Sequence, residues 1–180
     1  MMQNSLFDTA PGYDQPIAVL GHCHTRIRKQ LATLNKLLAH LPLHGADVEA
    51  QQAAHAVLRY FNDAAPLHHG DEEDDLLPQL EMTASGDDAS QLHAILPKIL
   101  EEHRQMEALW LALDRQLSRI TNGQSAQLSG TDVAQFASLY EAHMQLEESV
   151  IAPMAKRLFS AEQMRQLGDA MQARRGISNT

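Results

Sequence analysis

Apolar residues recur at alternating steps of three and four through most of this 180-residue chain, and no segment sustains an alternation of two. That spacing belongs to helices facing a common core and argues against a half-buried sheet, so the fold class it predicts is all-α. The first stripe carries Leu20, His24, Ile27, Leu31, Leu34 and Leu38, and "HLPLHG" is expected to break it, since Pro42 lacks a donor and Gly45 suits a turn. The second begins near Ala46 and carries Leu58, Phe61, His68, Glu72 and Leu76, with a kink at Pro66. "TASGDD" closes it. The third runs from about Ala89 with Leu92, Leu96, Ile99, His103, Met106, Trp110, Leu113 and Leu117. After "TNGQSAQLSGT" comes a fourth with Val133, Phe136, Tyr140, His143, Glu147, Val150 and Met154.

Four such helices on short connections predict an antiparallel up-down-up-down bundle over residues 16–159, preceded by an arm at 1–15. A short helix and tail follow at 160–180; Ser160 with Gln163 three residues on reads as a capping box, and Gly176 as the stop. This length suits one domain. An internal repeat supports two similar hairpins: "HHGDEEDDLLP" and "HMQLEESVIAP" share a histidine, two glutamates at plus four and five, and a proline at plus ten.

Each main helix places one histidine on its apolar stripe. In an antiparallel hairpin, residues at one level lie equally far from the turn. The midpoint of His24 and His68 is position 46, that of His68 and His103 falls between Ser85 and Gly86, and that of His103 and His143 is 123. All three are expected turns, so the four histidines share one layer. Glu72 and Glu147 stand at i+4 from His68 and His143, on the same face. An isolated histidine on an apolar stripe is ordinarily a hydrogen-bonded core residue. Four in one layer, with two carboxylates, cost several kcal/mol per charge to bury without a cation, which points to a divalent metal pair. Imidazole and carboxylate suit iron, zinc or copper, and a carboxylate can bridge two ions.

His69 either reaches the edge of the site as a ligand or hydrogen-bonds beside it. Glu107, at i+4 from His103, is a similar candidate, with Met106 and Trp110 able to carry that stripe instead. Asp71, Glu73, Asp74 and Asp75 point off the stripe and are expected to form a solvated face; their spacing lacks the alternation and mid-loop glycine of a calcium loop. Trp110 and Tyr140 are expected to wall the site, and Cys23, turned away from His24, to be a small packed residue.

A formal charge of −9, from 14 Lys and Arg against 23 Asp and Glu, argues against nucleic acid or an anionic membrane surface as the partner. No run approaches the roughly 20 apolar residues that span a bilayer, and "MMQNSLFDTAPGYDQP" lacks the pattern of a secretory signal, so a cytoplasmic location is expected. Cys23 is the sole cysteine, which excludes an intrachain disulfide and a thiolate cluster.

From about Ile17 to Phe159 the chain resembles the hemerythrin family in its bacterial HHE cation-binding branch, through "HCHTRIRKQL", "YFNDAAPLHHGDEEDDLLPQL", "ILEEHRQMEAL" and "YEAHMQLEESVIAPMA" in that order. The resemblance implies two non-haem irons as an oxo- or hydroxo-bridged pair, with His24, His68, His103 and His143 as terminal ligands and Glu72 and Glu147 bridging. It implies a small diatomic ligand or peroxide as partner, and roles in oxygen or redox sensing, nitric-oxide response, iron handling or iron–sulfur repair. Oxygen-carrying members have a second histidine where Glu107 stands, and an aspartate five residues after the last histidine, whereas Glu147 is four after His143. Reversible oxygen transport is therefore not implied. A di-iron oxidase or peroxidase, and a structural or regulatory bundle with zinc or no metal, are the alternatives.

Overall fold

In the computed structural model of the protein, which describes residues 10–177, Pro16 opens α1 (Pro16–His44) at a position whose N–H would have no partner in any helix. The break expected at Pro42 does not occur there. A proline in the last turn forfeits one bond to the carbonyl four residues back, and α1 ends only at Gly45, whose φ of 68° lets its N–H close on the Leu41 carbonyl at 2.9 Å.

Asp47 caps α2 (Val48–Arg59), its carboxylate accepting from the Ala50 N–H. A turn at Tyr60–Ala64, α3 (Ala65–Gly70), a turn at Asp71–Leu76 and α4 (Leu77–Thr83) continue the same rod, with right-handed helical dihedrals at every junction. Both turns are π-type: the N–H of Ala65 bonds to the Tyr60 carbonyl and that of Leu77 to the Glu72 carbonyl, five residues back. The single kink expected at Pro66 is thus replaced by two widened turns, each directly ahead of a proline, Pro66 or Pro78. The extra residue absorbs the clash that a proline ring makes with the preceding turn.

The third rod, α5 (Gly86–Thr121), starts three residues before the expected Ala89. The fourth joins α6 (Gly130–Leu146), capped by Ser129, through a third π turn at Glu147–Ile151 to α7 (Ala152–Leu158), again just ahead of a proline, Pro153. The capping box of Ser160 and Gln163 starts α8 (Ala161–Arg174) as expected. Residues 1–9 of the expected arm lie outside the described residues; Tyr13 packs its carbonyl against Gly168 of α8, where a Cβ would meet that oxygen at 2.0 Å.

Each rod packs against its two neighbours in sequence and the first closes onto the fourth, giving the up-down-up-down bundle; α8 lies against α1 and the Asp71–Leu76 turn. The apolar interior is divided. One cluster, around Ile27, Leu34, Phe61, Leu113 and Phe136, fills the half toward Gly45 and Gly123, and a second, around Leu20, Leu80, Leu92, Ile151 and Met171, fills the other. In sequence the rods pass from one cluster to the other at or next to the layer histidine: Leu20, His24, Ile27 on the first and Ile99, His103, Met106 on the third. Phe136, fully buried with its ring 5.0 Å from Phe61 and 4.9 Å from Tyr140, anchors the first half, and Phe136→Ala is expected to cost roughly 3–5 kcal/mol.

Candidate metal centre

Two of the π turns carry the two layer glutamates. Glu147 opens the third turn and Glu72 is the second residue of the Asp71–Leu76 turn, each still one helical turn past its histidine. His24, His68, Glu72, His103, His143 and Glu147 are all buried. The structure brings all six together, in a particular pattern. Glu147 reaches His24 Nε2 with Oε2 at 3.1 Å and His143 Nε2 with Oε1 at 3.2 Å. Glu72 reaches His68 Nε2 with Oε1 at 3.1 Å and His103 Nε2 with Oε2 at 3.3 Å. Two clusters of potential ligand atoms result, His24–His68–Glu72–Glu147 and Glu72–His103–His143–Glu147, each with its atoms within 4.8 Å of one another. The carboxylates belong to both.

These distances fit ligands on shared ions. Two donors about 2.1 Å from one metal and at right angles stand about 3.0 Å apart. The polar bookkeeping also calls for cations. His24 Nε2, Glu72 Oε2 and both Glu147 oxygens are buried without a hydrogen-bond partner. His103 and His143 face each other through Nε2 at 2.9 Å, while their Nδ1 atoms meet the carboxylates of Glu73 and Glu102. An ionised carboxylate only accepts, so Nδ1 carries each proton and both Nε2 atoms present lone pairs that repel unless a cation lies between them. The residues present fit a metal pair.

Electrostatics of the metal-free layer agree. Burial pushes the His68 imidazole down to about 3, keeping it neutral with a lone pair available for a metal. Burial and the facing Glu147 raise the Glu72 carboxyl well above its usual range. Burial alone would raise Glu147 too, but the His143 and His24 imidazoles facing its oxygens hold it well below. Burial thus favours the protonated form of Glu72 in the metal-free layer, in competition with a metal.

Several neighbours depart from the sequence expectations. Asp71 is not solvated: it has no exposed surface and is held by Arg174, at the end of α8, and by both outer nitrogens of Arg175, just past it. Its place beside the stripe is covered by a helix whose docking is invisible to α-helical periodicity. Asp75 is half-buried against Arg174; Asp74 is exposed, as expected, though also paired with Arg174. Glu73 is exposed, as expected, yet hydrogen-bonds His103 Nδ1. Glu102 and Glu148 serve His143 and His24 in the same way, at 3.0 and 2.9 Å. Sequence reasoning missed all three; the doubled glutamate of the repeat was the available signal for Glu73 and Glu148.

His69 lies beside the centre without joining either cluster: its ring stacks on His103 at 4.2 Å and its Nε2 is 3.5 Å from the Tyr140 hydroxyl. Glu107 is exposed and likewise outside both clusters. Trp110 and Tyr140 line, with Phe61, His69 and His103, a cavity of about 390 Å³ on one side of the layer. A second cleft of about 210 Å³, walled by Ile17, Leu20 and Ile151, reaches His24, Glu72 and Glu147 from the other. Among the described residues no helix is long and apolar enough to cross a membrane.

A metal-binding helical bundle agrees with comparison to known proteins. A relative in Haemophilus influenzae, an uncharacterised protein, is 30% identical over 165 residues, covering 92% of each chain. The family model of the hemerythrin HHE cation-binding domain matches residues 15–155, across all four rods and both clusters, and the chain belongs to that family.

Proposed function

We propose that this chain binds two non-haem irons, His24 and His68 holding one, His103 and His143 the other, with Glu72 and Glu147 bridging them. The observation that carries this reading is the sharing of each carboxylate between two histidine pairs. Imidazole with bridging carboxylate suits iron, and six inward donors exceed what one tetrahedral ion needs. When bound, such a pair supplies one-electron redox chemistry and open positions for oxygen, nitric oxide or peroxide.

The chain's own residues then have defined tasks. Glu72 and Glu147 hold the spacing of the pair, and Glu73, Glu102 and Glu148 fix three imidazoles with Nε2 inward. Ile17, Leu20 and Ile151 give a cleft with room for a small ligand an apolar wall, and His24, Glu72 and Glu147 stand at its inner end. The centre is read as one that binds or senses a small ligand, or handles iron, because Glu107, a candidate extra carboxylate ligand, stands outside it.

An oxidase or peroxidase is the second reading, favoured by the larger cavity, whose walls of Phe61, Trp110 and Tyr140 beside His103 offer space for an organic co-substrate. Metal analysis with absorption spectra, before and after azide, nitric oxide or peroxide, separates the possibilities. Iron with charge-transfer bands that change on ligand addition supports the binding reading, and sustained peroxide turnover supports the enzyme. Zinc alone, or no metal in protein grown with ample iron, contradicts both.

A further inference from the structure

The repeat gives each doubled glutamate two roles: the first joins the ligand clusters and the second supports a histidine of another rod. Glu73 accepts from His103 Nδ1 at 2.5 Å and Glu148 from His24 Nδ1 at 2.9 Å. His143 Nδ1 is served at 3.0 Å by Glu102, the residue preceding His103. By the same symmetry the acceptor for His68 would precede His24. That residue is Cys23. His68 Nδ1 is accordingly buried with no hydrogen-bond partner.

A carboxylate on the outer nitrogen raises the basicity of the inner one, and losing such a partner typically weakens metal binding by about 10–100-fold. Both histidines of the His103–His143 position have this support, and only His24 has it in the other. Even that support is diluted. Arg28 binds Glu148 through both oxygens, at 2.8 and 3.1 Å, whereas Glu102 meets only Lys98, at 3.7 Å, and Glu73 makes no ion pair with an arginine or lysine among the described residues.

We infer that the two metal positions are unequal, and that the one held by His24 and His68 is the weaker and exchanges its ion first. This rests on the paired-metal reading above. Like charges on shared carboxylates separate the two binding steps in any such pair, so the assignment is decided by variants.

The experiment titrates full-length metal-free protein with Co²⁺, followed by its visible absorption. Wild type is expected to take two ions in sequence. Glu102→Gln should weaken the first step about 10-fold and leave the second nearly unchanged, while Glu148→Gln should act on the second step alone. Circular dichroism of each variant checks that the helices persist. A shift of the first step by Glu148→Gln, equal shifts of both steps in either variant, or no shift in either overturns the inequality. Saturation at one Co²⁺ per chain overturns the paired-metal reading and the inequality with it, so the two failures are told apart by stoichiometry.

Discussion

Arg175 grips the Asp71 carboxylate through Nη1 at 3.0 Å and Nη2 at 2.6 Å, and that carboxylate, wholly buried, is the residue next to Glu72. The C-terminal helix is thereby tied to the π turn that presents a layer glutamate. Arg174 adds a bond to the same Asp71 oxygen and reaches Asp74 and Asp75. Removing both arginines leaves a buried charge unpaired, which costs roughly 3–5 kcal/mol. The double variant Arg174→Ala/Arg175→Ala should show that loss in urea unfolding and should release metal to a chelator faster than wild type, although neither residue touches the centre. Arg175→Ala alone should lose less, because Arg174 still reaches Asp71. Unchanged stability and release in the double variant would sever this link.

The acidic run should divide by role under substitution. Glu72→Ala and Glu147→Ala each remove a donor from both clusters and are expected to abolish binding of the pair. Glu73→Ala removes only the partner of His103 Nδ1 and should weaken binding about 10–100-fold. Asp74→Ala, at an exposed carboxylate, should leave affinity within about two-fold of wild type. Equilibrium dialysis against graded metal concentrations orders the four, and equal losses would mean that the run binds cations as a diffuse surface.

The layer itself was legible in the sequence, because helix geometry fixes both face and height: the three turn midpoints located four histidines on one level, and i+4 spacing put Glu72 and Glu147 beside them. The roles of the acids next to them were missed for a physical reason. Periodicity tells which residues leave a stripe, not what a neighbouring helix later brings to them: Asp71 reads as a solvated charge that α8 in fact covers, and the histidine partners of the exposed Glu73 and Glu148 were not foreseen. The π turns were also missed. Pro66, Pro78 and Pro153, each six residues after the carbonyl that accepts the five-residue bond, carried the signal, but a proline in a helix is compatible with a kink as well as a widened turn.

Acid should destabilise the metal-free protein partly through His68, whose ring faces Glu72, Glu147, His24, His103 and His143. Burial pushes it down to about 3, so from the ordinary histidine value near 6.5 down to that point the unfolded chain binds a proton that the folded chain refuses. Stability contributed by this group therefore falls as pH falls, by up to about 1.4 kcal/mol per pH unit. Glu147, held low, works in the same direction, whereas Glu72 and His143, both raised, oppose it. Comparison with His68→Gln isolates the term: between pH 7 and 4.5 the urea midpoint of wild type should drop more than that of the variant. Equal drops contradict the assignment.

Metal should stabilise the fold without being needed to form it. The two apolar clusters supply a core on either side of the layer, so the metal-free chain should remain helical by circular dichroism. Ions bound only by the native state should raise its melting temperature, since free metal at 100 times Kd is worth about 2.7 kcal/mol. Identical midpoints for verified metal-free and loaded samples would return the four histidines to a purely structural role.

The shared carboxylates are tested most directly by locating the ions. Anomalous diffraction from crystals of the iron-loaded protein, collected at the iron edge, should give two peaks about 3.5 Å apart. One should lie between His24 and His68, the other between His103 and His143, with Glu72 and Glu147 contacting both. A single peak in the layer, or peaks only along the acidic run, would contradict the paired centre.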